Sequence, residues 1–211
     1  MKPNSGPAGA AAAGVGPPVL GPAALGLAHA RVAITSHPAL ERERLLEHFQ
    51  MTESWLVSEL AGLNDKQLNW RAAEGKWSIA EVVAHLAIAE PQYWDQVKQS
   101  MAKPVEEGFK PKATDAGILW YGIDRTQRNK TAEARTPHGE YKTAAEALAS
   151  FRKLRGEMVS FVRSAQEDLR GRRFLTSEMD VYQWVLMITS HSQRHILQVR
   201  EVKAAAGFPE R

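Results

Sequence analysis

Apolar residues recur at helical intervals along most of this chain. Leu45, Phe49, Leu56 and Leu60 are spaced by whole turns, which places them on one face of a helix. Pro38 starts that segment, where a proline's fixed φ suits the first helical turn. Gly62, Asn64 and Asp65 interrupt the pattern after Leu60, so it predicts a first helix over about Pro38 to Leu60. Ser78 and Glu81 form a Ser-x-x-Glu capping box that opens a second helix, with Val82, Leu86 and Ala89 on its apolar face and Val83 and Ile88 flanking it. Pro91 lies within this helix and predicts a kink near Ala87, because its ring clashes with the carbonyl one turn back. Thr143 and Glu146 open a third helix through about Asp168, with Leu148, Phe151, Leu154, Met158 and Phe161 or Val162 inward. Asp180 and Gln183 open a fourth, which carries Trp184, Met187, Ile188, His191, His195 and Val202 and stops near Gly207 and Pro209, a glycine–proline ending.

Residues 102–141 read differently. Pro104, Gly108, Pro111, Gly117, Gly122 and Pro137 interrupt any periodicity, and the stretch reads as a long connection with one short helix around Asp124 to Lys130. A connection of this length is a crossover or a functional segment. There is no strand-like alternation, no internal repeat and no heptad run. The predicted architecture is therefore all-α, a four-helix bundle with one long crossover connection.

Ahead of the first helix the composition changes. Pro3 to Ala30 contains no Asp, Glu, Lys or Arg and is built from Ala, Gly and Pro. Two readings stand open for this leader, taken as residues 1–36 with the bundle at 37–209. Met1-Lys2 followed by an apolar stretch ending Ala28-His29-Ala30 fits an export signal. Its prolines and glycines fit a low-complexity segment that buries too little apolar surface to order itself. The chain is correspondingly cytoplasmic or exported. A membrane anchor is not expected, since the apolar character is weak and interrupted.

Composition narrows the chemistry. With 211 residues the chain is long enough for one sizeable core, and hydrophobic residues at 44% and charged residues at 24% are ordinary globular values. The net charge of +3 comes from interspersed acids and bases, with no basic stripe of the kind that binds nucleic acid. There is no cysteine, so disulfides, thiolate nucleophiles and thiolate metal ligands are excluded. A transition-metal site would use histidine, carboxylate and water.

The histidines supply such a set. His191 and His195 stand four residues apart, so on a helix both imidazoles project to one face. His85 follows Val82 on the core-facing side of the second helix, where an unpaired imidazole is costly. A third imidazole beside the pair would give a three-ligand site open to water or substrate. Position 192 is Ser, so the His-Glu-x-x-His pattern of metalloproteases is absent. His48 lies beside Glu43 and Glu47 and is expected on a solvated face; His29 and His37 fall in or beside the leader and His138 in a loop.

The segments Asn69-Trp-Arg, Gly75 to Glu90 with its Trp-Ser-x-x-Glu-x-x-x-His run, and His191 to Ala204 with its His-x-x-x-His resemble the DinB-like superfamily. That superfamily includes YfiT-like metal hydrolases and thiol S-transferases. The resemblance extends from about Leu40 to Pro209 and implies a four-helix bundle holding a divalent metal, zinc or nickel, through His85, His191 and His195. It also implies a small-molecule substrate, a low-molecular-weight thiol in the transferase case, and a homodimer by analogy. Glu81, one turn before His85, would orient its ring or act as a base, but its capping role at Ser78 is the preferred reading. Gln198 is a candidate partner for His195, Arg194 for an anionic substrate group or equally a surface ion pair, and Trp77, Trp120, Tyr121 and Trp184 for the pocket wall or equally for plain core packing. A metal-binding bundle without turnover is the alternative, and a module whose histidines merely pack is a third reading.

Overall fold

The computed structural model describes residues 38–127 and 130–210. The leader with His29, and His37 next to it, lie outside the described residues. Six α-helices follow: α1 (Pro38–Leu60), α2 (Asp65–Asn69), α3 (Ile79–Met101), α4 (Asp115–Ile123), α5 (Ala144–Ser164) and α6 (Val181–Lys203), with a 3-10 turn at Glu133–Arg135. The long helices α1, α3, α5 and α6 make a four-helix bundle. Each packs on two neighbours: α1 and α3 both contact α5 and α6. Consecutive long helices α1 and α3 therefore occupy opposite corners, as do α5 and α6.

Local sequence explains where the helices start. Ser78 and Asp180 accept from the backbone N–H three residues on, while the side chains of Glu81 and Gln183 return the bond, so both are complete capping boxes. Thr143 caps α5 through its hydroxyl. An additional box at Asn64 and Gln67 builds the short α2 in a segment that reads as a mere break. Helix α3 continues through Pro91.

The short helix of the crossover is displaced from its expected place. It spans Asp115–Ile123 rather than Asp124 to Lys130, with Thr114 as its N-cap. Gly122, which reads as a helix breaker, lies inside it because a Cβ there would stand 2.9 Å from the carbonyl oxygen of Ser190. The glycine lets α4 lie close against α6. Helix α5 also stops earlier than expected, at Ser164 rather than Asp168. The core consists of stripes such as Leu45 and Phe49 of α1, Trp94 and Val97 of α3, and Met158 and Val162 of α5.

Candidate metal centre

Helices α3 and α6 pack together and bring His85, His191 and His195 to one point. All three are buried, at 2%, 7% and 9% exposure. Their ligand atoms lie within 4.8 Å of one another. The Nε2 of His191 is 3.2 Å from that of His85 and 3.1 Å from that of His195.

The outer nitrogens fix which way the rings point. His85 Nδ1 donates to the carbonyl of Arg135 at 2.8 Å, and His195 Nδ1 donates to Gln198 Oε1 at 2.9 Å. A neutral imidazole that donates through Nδ1 has a bare lone pair on Nε2. Burial lowers the pKa of all three rings, and at His191 and His195 their neighbours' charge lowers it further. Neutral lone pairs thus face one another in a buried space. A proton on His191 Nε2 would serve only one of its two neighbours, and His191 Nδ1 is itself buried without a partner. A cation at the centre satisfies all three nitrogens together. Zinc–nitrogen bonds of about 2.0–2.1 Å in tetrahedral geometry separate ligand nitrogens by about 3.3 Å, close to the spacing here. The donor set fits a divalent metal.

The centre forms the floor of a cavity of about 600 Å³. Trp77 provides one wall, its ring centroid 5.0 Å from that of His85 and 6.4 Å from that of His195. Tyr93 provides another, set edge-on to His191 at 5.4 Å. Tyr121 and the turn around Arg135 complete it. Trp184 instead stacks on Phe174, with centroids 4.0 Å apart, and Trp120 is exposed; neither lines the cavity.

Other expected roles are reassigned. Glu81 accepts from Ser78 N–H at 2.8 Å and from both Nε and an end nitrogen of Arg71, a bidentate pair that holds its pKa below the usual carboxylate range against the effect of burial. The Arg135 carbonyl, not Glu81, orients His85. Arg194 faces the cavity but donates to the carbonyls of Tyr121, Asp124 and Gln127 and lies over the Tyr121 ring. It anchors the crossover to α6. His48 is half-buried rather than solvated, held between Gln193 Oε1 and Thr189 Oγ1.

One buried cluster next to the site does not feature in the sequence reading. Arg155 of α5 pairs bidentately with Glu90 of α3, and Ser192 of α6 bonds to both. Arg155 and Glu90 are fully buried, with the guanidinium between the rings of Phe49 and Phe151. Burial raises the Glu90 pKa while Arg155 opposes the shift. The signal was present in the sequence: Arg155 interrupts the apolar stripe Phe151, Met158 and Val162, and Glu90 interrupts the stripe Val83, Leu86, Ala87, Trp94 and Val97. Two opposite charges on two inward faces imply a buried pair.

The family model of the DinB superfamily matches residues 41–199. This chain belongs to the DinB superfamily. Among relatives of this DinB-superfamily chain, the Bacillus subtilis protein YuaE is 28% identical over 158 residues, covering 72% of the chain and 91% of YuaE. A Geobacillus thermodenitrificans protein that carries the name "Putative metal-dependent hydrolase" is 39% identical over 70 residues, 30% of the chain and 39% of that protein. Among solved structures, Bacillus subtilis YfiT, described as a probable metal-dependent hydrolase with an unusual four-helix bundle topology, superposes with a TM-score of 0.55 at 17% identity, covering 80% of the chain and 89% of YfiT. That likeness establishes the bundle fold.

Proposed function

We propose that this chain is a metalloenzyme that hydrolyses a small molecule, with His85, His191 and His195 holding one zinc or nickel ion. The observation that carries the reading is the convergence of three neutral Nε2 atoms on the floor of an open cavity. An ion held by three uncharged ligands keeps its full charge and an open position, where a water or an incoming thiol gives up a proton more readily. The chain's own residues then have defined tasks. The Arg135 carbonyl and Gln198 fix the tautomers of His85 and His195, the arrangement that raises ligand basicity and holds ring orientation. Trp77 and Tyr93 shield the ligand rings from bulk water. Glu81 is occupied by Arg71 and Ser78, and Glu133, the carboxylate of the cavity lining, lies 3.0 Å from His138 Nε2. Neither stands ready as a general base.

Thiol transfer is the second reading. The chain has no cysteine, so the thiol would come from a cosubstrate, and a cavity of about 600 Å³ has room for it. Metal analysis of the purified protein, followed by turnover, tests both readings. The expected result is one ion per chain in the wild type, loss of that ion in His191→Ala, and metal-dependent cleavage within a panel of small esters and amides. Conjugation of monochlorobimane with added thiols would select transfer instead. A wild type that takes up no ion overturns the site, and a loaded protein silent in both assays is a binder.

A further inference from the structure

We propose that the cavity admits a substrate bearing an oxyanion, a carboxylate or phosphate group, and that the guanidinium of Arg135 binds it. This rests on reading the cavity as the substrate site of the metal centre and adds the chemical class of what enters.

Cations dominate the lining: Lys76, Arg125, Lys130, Arg135 and Arg194 against Glu133. Their commitments differ. Arg125 is spent on a bidentate pair with Glu201 at 2.9 Å, and Arg194 on three backbone carbonyls. Glu133 is paired with His138. The Arg135 side chain is half-buried, and among the described residues its guanidinium has no hydrogen bond and no ion pair. It is held by the face of Tyr93, with Cζ 5.2 Å from the ring centroid. A guanidinium held over an aromatic face by cation–π attraction keeps its N–H groups able to donate.

Arg135 lines the same cavity as the three histidines. Tyr93 contacts both Arg135 and His191, and the Arg135 backbone carbonyl holds His85. A cation placed near a divalent ion raises the electrostatic cost of the loaded site, a cost that a bound anion lowers. The planar N–H fork matches a carboxylate or phosphate in two parallel bonds. Lys76 and Lys130 at the cavity lining add long-range attraction for an anion approaching from solvent.

The test uses the full chain and inorganic phosphate as probe. Metal-free wild type, Arg135→Gln and Arg135→Lys are titrated with phosphate by calorimetry at pH 8, and with zinc in separate experiments. Both substitutions keep the backbone carbonyl that holds His85. Phosphate affinity is expected to fall at least about tenfold in Arg135→Gln, the loss of charge-assisted hydrogen bonds, and less in Arg135→Lys. Zinc affinity in Arg135→Gln is expected to be unchanged or tighter, because a repelling charge has gone. Equal phosphate affinity in wild type and Arg135→Gln, or no phosphate binding by the wild type, overturns the inference. So does a parallel loss of zinc and phosphate affinity, which would mean that the substitution damages the fold. A wild type that binds phosphate through Arg135 but takes no zinc supports the anion site and overturns the metal reading.

Discussion

Two buried polar clusters sit on adjacent residues of α6 and solve opposite problems. At Ser192 the groups complement one another: the carboxylate of Glu90, the guanidinium of Arg155 and a hydroxyl form a buried network tying α3, α5 and α6 together, with one guanidinium nitrogen left without a partner. At His191 three groups of the same kind face each other, and no arrangement of protons satisfies them all. The difference teaches how to separate structure from function among buried polar residues. A cluster whose charges compensate one another holds helices in register. One whose acceptors converge on an open cavity is incomplete without a ligand.

The comparison breaks first at Arg155. Replacing it by Met leaves Glu90 buried and uncompensated, and removing one partner of a buried pair costs about 3–5 kcal/mol. Urea denaturation should show that loss. Glu90→Leu combined with Arg155→Met should recover most of it, because a packed apolar pair avoids the desolvation of both charges. A single variant within about 1 kcal/mol of wild type would contradict a closed structural pair. His191→Ala in metal-free protein should cost less than Arg155→Met, since it leaves no opposite charge stranded.

Gln198 sharpens the other side. It donates nothing to the fold's charge balance, yet its Oε1 fixes the His195 ring. Gln198→Ala should weaken zinc binding by about 10–100-fold, the usual effect of losing a partner of a metal ligand, with little change in the denaturation midpoint of the metal-free protein. Competition with a chromophoric chelator measures the first quantity. An unchanged affinity would mean that packing against Trp77 alone orients His195.

How much of this the sequence carried depends on the range of each interaction. Caps and periodic stripes are local, so α1, the starts of α3, α5 and α6, and the bundle class were legible from Ser78, Thr143 and Asp180 and the apolar spacing. The histidine set was legible because His191 and His195 share a helix face and His85 lies on another core-facing helix, although their convergence depends on how α3 packs on α6. The misplacement of the crossover helix has a tertiary cause. Gly122 reads as a breaker, whereas close contact with Ser190 requires a glycine there. Arg135 was invisible for another reason: one of its two contacts at the site is made by a backbone carbonyl, and a carbonyl leaves no mark on residue identity. Arg194 reads as a substrate-binding cation or a member of a surface ion pair because three carbonyl acceptors from residues 121–127 cannot be foreseen from spacing.

The smallest effect separates the clusters by pH. Burial lowers the pKa of His85, His191 and His195, so as pH falls below about 6.5 the unfolded chain takes up protons before the folded one does. The stability these neutral rings permit is therefore fully present above about 6.5 and is lost as pH falls. Asp180 acts in the opposite sense, since burial raises its pKa to about 6. Its contribution is complete below the ordinary carboxylate value and is lost as pH rises through about 6. Urea midpoints of metal-free protein between pH 8 and 5 should fall on acidification, and His191→Ala should flatten the slope by removing one of the two most strongly shifted rings. Asp180→Asn should steepen it, since the opposing contribution disappears. In zinc-loaded protein the fall should be larger, because protons and metal compete for the same Nε2 lone pairs. A loaded protein whose midpoint tracks the metal-free one across this range would show that the ion binds elsewhere.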